Sequence, residues 1–398
     1  MDLFSKKKIP LSLVLDIRDV SVSVAVLEFA HNEKPNMVWC ENIDIANLKK
    51  ADHNTHIHLA VKAIDKAVLS ARNALVKMGV KNKIGKHFFF IGSPWSISRS
   101  KTIKIIKDRR FEIDNKLLGR IITGEELNTQ NHIYRRFQNR SWTLLEERVI
   151  QTKIDGEVVE DIFGKKTSEL EVDLFVSFVP NEIKEKIMSF VDDKPGEKNI
   201  YVHSCILSSY SFMRDLFKDK NDFIYMDMGD IVTDVYVVRN DIIHGVISIP
   251  EGEKEIIQYA ALKTGLPEHL ISSELNAYKD GHTDFGNQKV KDAMNEKVRD
   301  CLSKISESLF VVCKEIKMPK NIFIVANSGL AHFFVEESLR QRNIDLSKIF
   351  GKKMDMTVIN EIIMNDLVSN GRIFPHEPYI KMDVVFINYI KDFYKQKK

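Results

Sequence analysis

Two short segments of the chain carry aspartates at the spacing of a strand–turn–strand motif. In the stronger copy, Phe223–Arg239, Asp227 and Asp234 bracket a polar turn between two apolar runs. A weaker copy lies 211 residues earlier in the chain, where Asp16 aligns with Asp227. In such a hairpin the N–H groups of the turn can bind phosphate oxygens, and an aspartate at the strand end can hold a hydrated Mg²⁺. The two motifs therefore predict phosphate and magnesium chemistry.

The elements around the first copy are predicted in the order βββαβ. Short segments of alternating apolar and polar residues are typical of strands. From Ile57 to Met78, apolar residues recur every three or four positions and predict a long helix, which Gly79 ends. The strands are predicted at residues 11–17, 20–29, 37–45 and 86–91.

The elements around the second copy repeat this order. A helix begins near Glu253, a longer helix carries apolar residues at helical spacing from Val290 to Val312, and a buried strand closes the repeat. A repeated βββαβ order with hairpins at equivalent points favours two related α/β lobes around a cleft. The strands are predicted at residues 223–228, 232–239, 242–249 and 321–326.

Residues 93–190, between the repeats, follow a different pattern. A polar helix is predicted near 114–128, and two strands flank the turn at Asp155 and Gly156. An alternating strand from Leu170 to Phe178 and a short helix follow. This pattern indicates a small α+β module rather than a continuation of either lobe.

The composition is that of an ordinary folded protein. The 398 residues are 44% apolar and 29% charged, and the net charge of +3 is too small to indicate a nucleic-acid partner by itself. The four cysteines are widely spaced, which predicts reduced thiols rather than a disulfide framework or a zinc site. Because no run approaches the ~18 apolar residues of a membrane span, we expect a cytoplasmic protein.

These motifs resemble those of the actin-type ATPase superfamily, and within it those of the bacterial FtsA/PilM group. The first phosphate loop of the superfamily, D-x-G-[ST]-x-S, corresponds to Asp16–Ser21, and the second, D-x-G-G-G-T-x-D, corresponds to Asp227–Asp234. The adenosine-side G-G-G turn corresponds to Asn327–Gly329. The position of the insert and the helix-like segment His203–Met213 are similar to features of FtsA and PilM.

The resemblance implies an α/β, actin-like (ribonuclease H-like) fold with two lobes and an inserted small α+β subdomain. Residues 1–92 would form the first lobe, closed by a C-terminal helix at 378–398. Residues 93–190 would form the insert, and residues 191–377 the second lobe with a helical subdomain on the nucleotide side.

The resemblance also implies ATP and Mg²⁺ as ligands. Asp16 and Asp227 would hold the metal. The residues that would contact the nucleotide are Asp16, Arg18, Ser21, Asp227, Gly229, Thr233, Asp234, Glu274 and Gly329.

The chain departs from the superfamily pattern where glycine lets the backbone approach a phosphate. Arg18 replaces the glycine of the first loop, and it can either reach a phosphate or pair with Asp230 and fill an empty site. Asp230 and Ile231 replace two glycines of the second loop, and Ala277 stands where the family often has a lysine that contacts the nucleotide. The pattern therefore leaves a weak nucleotide site and a lost one as alternatives, and in the lost site Asp16 and Asp227 only cap turns. We expect slow ATP hydrolysis at most.

The C-terminal segment is amphipathic as a helix, and its apolar face has two alternative interpretations. FtsA ends in a helix that lies at the membrane surface, and the composition here fits that role. The alternative, which a core-facing apolar stripe favours, is a helix that packs back on the first lobe. The residues of this face are Phe386, Tyr389, Ile390 and Phe393.

Three other segments have residue types that can bind ligands or catalyse. The basic segment Arg99–Arg110 and the aromatic-flanked segment 134–142 indicate a solvated face or a protein-docking edge rather than a nucleic-acid site. The histidines between 53 and 58 have no cysteine and only Asp52 nearby, too few ligands for a metal site. Gly92–Trp95 lacks the last glycine of a nucleophile elbow, so we expect no hydrolase of that type.

The sequence is interpreted as a cytoplasmic scaffold of FtsA/PilM type that links a membrane-associated assembly, for cell division or for a type IV pilus, to cytoplasmic partners. Its partner would be the cytoplasmic segment of a membrane protein or of a filament-forming protein. We expect contact with the membrane to be indirect or through the C-terminal helix. The alternatives are a working Mg²⁺-dependent ATPase and a self-associating pseudo-ATPase that forms filaments.

Overall fold

In the computed structural model, two apolar strands occupy the centres of two separate sheets. Strand β1 (Leu11–Ile17) is buried at every position, and so is β10 (Phe223–Met228). Strands that are buried on both faces are covered by helices on both sides of the sheet. The structure describes residues 10–30, 33–45, 53–80, 82–137, 140–190, 199–279, 286–314, 316–326, 329–340, 354–359, 363–364, 367–370 and 378–390.

The first sheet has the order β15-β3-β2-β1-β4-β9. β1 is antiparallel to β2 and parallel to β4, and β4 is parallel to β9. Helix α1 packs on β2 and β3, and helix α9 packs on β1 and α4. The elements of this unit are β2 (Ser21–Glu28), β3 (Asn36–Asp44), α1 (His53–Lys77), β4 (Ile84–Ile91), α3 (Asn181–Met188), β9 (Ile200–Ser204), α4 (Cys205–Leu216), β15 (Ser369–Asn370) and α9 (Pro378–Ile390).

The second sheet has the order β12-β11-β10-β13-β14, which repeats the β3-β2-β1-β4-β9 order of the first. Helices α5, α6 and α7 bury their apolar faces with one side of this sheet in a single core. The elements are β11 (Thr233–Arg239), β12 (Ile242–Ile249), α5 (Glu253–Thr264), α6 (Glu268–Lys279), α7 (Gln288–Val312), β13 (Asn321–Ala326), α8 (Leu330–Arg340) and β14 (Asp355–Val358).

The strand register confirms that the two hairpins are copies of one motif. In the first hairpin Asp16 lies opposite Ser23, and in the second Asp227 lies opposite Asp234, so both pairs keep the 211-residue offset. A register shift of one residue would turn every side chain of a strand to the other face of its sheet. The equal registers therefore place the two aspartates at the same point of the two sheets.

The fifth strand of the first sheet follows the insert in the chain. β9 pairs in parallel with β4, and α4 follows it directly. The range predicted for the second lobe, 191–377, included both elements, whereas strand pairing places β9 in the first sheet and contacts place α4 in the same unit. The insert therefore interrupts the first repeat between its fourth and fifth strands.

The insert is a four-stranded antiparallel sheet with one helix on it. The sheet has the order β5-β8-β6-β7, and the helix α2 packs on the face that carries Leu170, Val172, Leu174 and Val176. The turn between β6 and β7 has positive φ at Asp155 (50°) and Gly156 (87°), as a tight hairpin requires. The elements are β5 (Ile97–Glu112), α2 (Asn115–Arg136), β6 (Trp142–Ile154), β7 (Glu157–Val158) and β8 (Lys166–Pro180).

Contacts divide the chain into two units. The first comprises Met1–Trp95, Asn181–Phe217 and Ile359–Lys398, and the second comprises Ser96–Pro180 and Lys218–Val358. The insert belongs to the second unit because β5 contacts β12. None of the helices in the part of the chain that the structure describes is long and apolar enough to cross a membrane.

Candidate functional site

The turns of the two hairpins are closed by equivalent hydrogen bonds. The Arg18 N–H donates to the Ser21 carbonyl at 2.9 Å, and the Gly229 N–H donates to the Val232 carbonyl at 3.0 Å. In the first turn a second amide, that of Val20, donates to Oδ1 of Asp19 at 2.9 Å. An amide that donates within its own turn is not directed at a phosphate. These amides therefore cannot serve as donors to an anion at either loop.

The carboxylate of Asp16 is held by the side chain two residues after it. Nε of Arg18 donates to Oδ2 of Asp16 at 2.9 Å, and the Asp16 side chain is only 1% exposed. The thiol of Cys205 donates to the other carboxylate oxygen at 3.4 Å. Both oxygens of Asp16 thus have partners from the protein.

Two aromatic side chains fix Arg18 in this position. The guanidinium carbon of Arg18 lies 3.6 Å from the centre of the Tyr379 ring, a cation–π contact with helix α9. The indole N–H of Trp95 donates to the Arg18 carbonyl at 2.5 Å. The first loop is therefore held by residues from β4–β5 and from the C-terminal helix, far from it in sequence.

These contacts test whether the first loop fits Mg²⁺. A hydrated Mg²⁺ would require the carboxylate of Asp16, which is bound to a guanidinium that is itself stacked on Tyr379. A cation at the same place would be repelled by Arg18. The residues of the first loop therefore do not fit the metal. The sequence offered a phosphate or Asp230 as the partner of Arg18, and the ion pair with Asp16 was not among these alternatives.

The second loop is docked on the first turn of helix α5. The N–H groups of Glu253 and Lys254 donate to the carbonyls of Gly229 and Asp230, at 3.0 and 2.8 Å. Gly252 makes this approach feasible, since a Cβ atom at this position would lie 2.4 Å from the carbonyl carbon of Asp230. The N-terminal amides of α5 are thus occupied by the loop itself.

The polar side chains that follow the second loop bind within their own sheet. The Thr233 hydroxyl donates to the Glu251 carbonyl at 2.7 Å, and the Ser248 hydroxyl donates to Oδ1 of Asp234 at 2.5 Å. Thr233 and Asp234 are 3% and 7% exposed. Both residues were predicted to contact nucleotide. In this structure Asp234 joins β11 to β12, and Thr233 joins β11 to Glu251, which follows β12. Asp227, the residue before the last of β10, is also buried.

Glu251, next to the second loop, is neutralised by two lysines of α7. Lys297 lies 2.7 Å from one carboxylate oxygen, and Lys304 hydrogen-bonds to the other. Burial alone would raise the pKa of Glu251, but these two hydrogen bonds outweigh it and hold the pKa below its usual value. Burial and the Glu251 charge raise the pKa of the nearby Cys301 thiol to about 12, so this cysteine is not a nucleophile at neutral pH.

The fold is similar to those of solved structures. The PilM–PilN type IV pilus biogenesis complex is similar, with a TM-score of 0.57 and 11% identity over 96% of this chain and 99% of that one. A Bacteroides thetaiotaomicron protein with an actin-like ATPase fold has a TM-score of 0.45 and 8% identity, over 97% and 98% of the two chains. No family model matches the sequence, and a comparison with curated proteins finds no match.

The chain has an actin-like ATPase fold. The first of these similarities covers nearly the whole of both chains, and the repeated order of the two sheets agrees with it. The fold class predicted from the sequence is thereby confirmed. At 11% identity the likeness is one of fold alone.

In this actin-like fold the predicted nucleotide residues lie in both units. Asp16, Arg18 and Ser21 belong to the first unit, and all the others belong to the second. On α6, Glu274 has one buried carboxylate oxygen without a hydrogen-bond partner in the described residues. Gly329 accepts a hydrogen bond from the Phe333 N–H at the start of α8, while Asn327 and Ser328 lie outside the described residues.

The C-terminal helix packs on the first sheet. Residues 378–387 are all buried, and the Phe386 ring lies 5.1 Å from the His203 ring and 5.8 Å from the Phe90 ring. The Phe386 side chain therefore lies in the core and not on an exposed face. Tyr389 is 43% exposed, Ile390 is half-buried, and Phe393 lies outside the described residues.

Sequence reasoning missed four residues that fix the loops. Gly252 had a signal that could have been used, because a glycine in the short segment between a strand and a helix can allow a close backbone approach. Trp95, Cys205 and Tyr379 had no such signal in the sequence, since each is distant from the first loop in the chain and contacts it only in the folded structure. In the described residues no group of three or more histidines, cysteines or carboxylates could hold a metal ion.

Proposed function

We propose that this protein is a scaffold with an actin-like fold that does not use Mg²⁺-ATP. The observation that carries the proposal is the Arg18–Asp16 ion pair, stacked on Tyr379. An arginine in this position does electrostatically what a bound cation would do for Asp16, so the folded state needs no metal there. The closed first turn and the docked second loop support the same conclusion.

A protein of this fold with Arg18 in the first loop would act by binding other proteins. The similar PilM structure is a complex with PilN for type IV pilus biogenesis, which supports a role in joining proteins of an assembly. We propose that this chain is of FtsA/PilM type. It would act in the cytoplasm and connect a membrane-associated assembly, for division or for a pilus, to its partners. Its own contact with the membrane would be indirect, because α9 is packed in the core.

A thermal-unfolding series tests the proposal. A ligand that binds the folded state at 100 times its Kd stabilises it by about 2.7 kcal/mol and raises the melting temperature. We expect no shift of the melting temperature with ATP and Mg²⁺ up to 5 mM, and no phosphate release above the buffer. A concentration-dependent rise that Asp227→Ala abolishes would contradict the proposal.

A further inference from the structure

Strand β5 is a long and exposed edge of the insert sheet. It pairs with β8 on one side, and no strand in the described part of the chain pairs with its other side. β12 contacts β5 but forms no ladder with it. The 16 residues of β5 are all exposed or half-buried. Where β12 does not contact β5, the N–H and C=O groups on this side face no strand of the described residues and can pair with an added strand.

This edge is strongly basic. β5 has six cations and two carboxylates, a net charge of +4 against +3 for the whole chain. Charge on an edge strand also protects it from pairing with the wrong partner. The six cations are Arg99, Lys101, Lys104, Lys107, Arg109 and Arg110, and the carboxylates are Asp108 and Glu112.

Only part of this positive charge is neutralised by the protein itself. Lys101 lies 3.1 Å from Glu125, and Lys104 lies 3.0 Å from Glu171 and also pairs with Glu169. The ion pairs of β5 within the described residues are those of Lys101 and Lys104, and none involves Arg99, Lys107 or Arg109. The Lys107 ammonium lies 4.6 Å from the Phe111 ring centre.

The unneutralised cations lie mainly at one end of the strand, on a bulge. The register of β5 against β8 shifts between Ile106 and Phe111, which is where Lys107, Arg109 and Arg110 occur. A bulge changes the direction of the side chains it carries. The regular part of the strand thus offers backbone groups, and the bulge presents charge beside them.

We propose that the open edge of β5 binds an extended acidic segment of a partner protein by strand addition. The positive charge of β5 determines which kind of strand can pair with its edge. A second copy of β5 would place cations opposite cations, which is destabilising. An acidic segment gains main-chain hydrogen bonds and neutralises Arg99, Lys107 and Arg109. A nucleic acid would use the same cations but not the backbone edge. The proposal rests on the scaffold role and names the chemistry of the partner.

Fluorescence anisotropy with the full chain tests the proposal. The probe is a fluorescein-labelled ten-residue peptide in which glutamate and valine alternate, at 150 mM salt. A peptide of equal charge with proline in place of valine is the backbone control, because it favours the polyproline conformation and cannot extend a ladder. We expect saturable binding of the first peptide and at least tenfold weaker binding of the second.

Matched charge reversals locate the binding to β5. Lys107→Glu with Arg109→Glu is compared with Lys62→Glu and Lys66→Glu on the exposed face of α1, which changes the net charge equally. We expect the affinity for the glutamate–valine peptide to fall at least tenfold in the β5 variant and less than twofold in the α1 variant. Circular dichroism and the melting temperature show that each variant is folded.

Three outcomes would overturn the proposal. The first is no saturable binding up to several hundred micromolar peptide, and the second is equal binding of the proline peptide. The third is binding of a labelled ten-nucleotide oligothymidine that exceeds peptide binding and is lost in the β5 variant. No nucleotide triphosphate enters this assay, so its failure leaves the test of the proposed function intact.

Discussion

Nε of Arg18 lies 2.9 Å from Oδ2 of Asp16, so the side chain at the position of the loop glycine neutralises the aspartate that was predicted to hold a metal ion. The two residues are two positions apart in the chain: Asp16 lies in β1, and Arg18 is the first residue of the turn that leads to β2. Their pairing joins the loop to helix α9, because the same guanidinium is stacked on Tyr379.

The ion pair is expected to contribute strongly to stability. Removing one partner of a buried pair leaves an uncompensated charge and costs about 3–5 kcal/mol. Arg18→Ala should therefore lower the free energy of unfolding by about 3 kcal/mol, measured by urea denaturation. Arg72→Ala, on the exposed face of α1, is the control and should change it by less than about 0.5 kcal/mol.

The same variant shows whether Arg18 stands in for a cation. Without the guanidinium, millimolar Mg²⁺ should raise the melting temperature of Arg18→Ala, while the parent protein should not respond. Equal responses of the two proteins would show that Arg18 and Mg²⁺ do not compete for Asp16.

Gly252 is expected to determine the position of the second loop. A Cβ atom there would lie 2.4 Å from the Asp230 carbonyl carbon and oxygen and 2.6 Å from the Gly229 oxygen, all of which belong to the backbone. Gly252→Ala should reduce the free energy of unfolding by about 1–3 kcal/mol, as overpacking does. Gly119→Ala on α2, where a Cβ meets nothing, should instead stabilise by about 0.5–1 kcal/mol. A neutral Gly252→Ala would show that the loop is not tightly docked.

Helix α9 is expected to act in the core and not at a membrane. Phe386 is 4% exposed, and truncation of a buried phenylalanine costs about 3–5 kcal/mol. Phe386→Ala should lower the free energy of unfolding by this amount, whereas Tyr389→Ala on the exposed side should change it far less. In liposome flotation the full chain should stay with the soluble fraction. Flotation that Phe386→Ala abolishes without loss of stability would contradict the packing.

A carboxyl pair on the insert should make its stability depend on pH. A hydrogen bond with Glu147, together with partial burial and the Glu147 charge, raises the pKa of Glu126 to about 7. The folded state therefore keeps a proton that the unfolded state releases near pH 4.5. Its stabilising effect is full at low pH and is lost as pH rises through 7.

Glu147→Gln tests this dependence. The melting temperature of the parent should fall between pH 5 and pH 8 by more than that of the variant, and the variant should be the more stable of the two at pH 8. The control is Glu182→Gln, an exposed change on α3 that should leave the parent profile unaltered. Parallel profiles of parent and Glu147→Gln would rule out the shared proton.

The sequence was sufficient to predict the doubled sheet because its signal is local. Alternating or continuous apolar runs identify β1 and β10, and the matched spacing of Asp16 and Asp227 identifies the repeat. The tight turn at Asp155 and Gly156 was predicted for the same reason, since the two residues themselves favour positive φ.

The rest could not be predicted because it depends on contacts between distant parts of the chain. β9 has only five residues, and nothing in Ile200–Ser204 indicates that it pairs with β4 rather than with the second sheet. The partner of Arg18 was an open choice between a phosphate and another side chain. Tyr379 and Trp95 decide it, and only the folded chain brings them to the first loop.

Isothermal titration calorimetry of the full chain with a non-hydrolysable ATP analogue and Mg²⁺ tests the central claim most directly. Because Arg18 neutralises Asp16 and both loops are closed by their own backbone, no saturable heat should be observed up to millimolar analogue. Saturable binding that requires Mg²⁺ and is lost in both Asp16→Asn and Asp227→Ala would contradict the account.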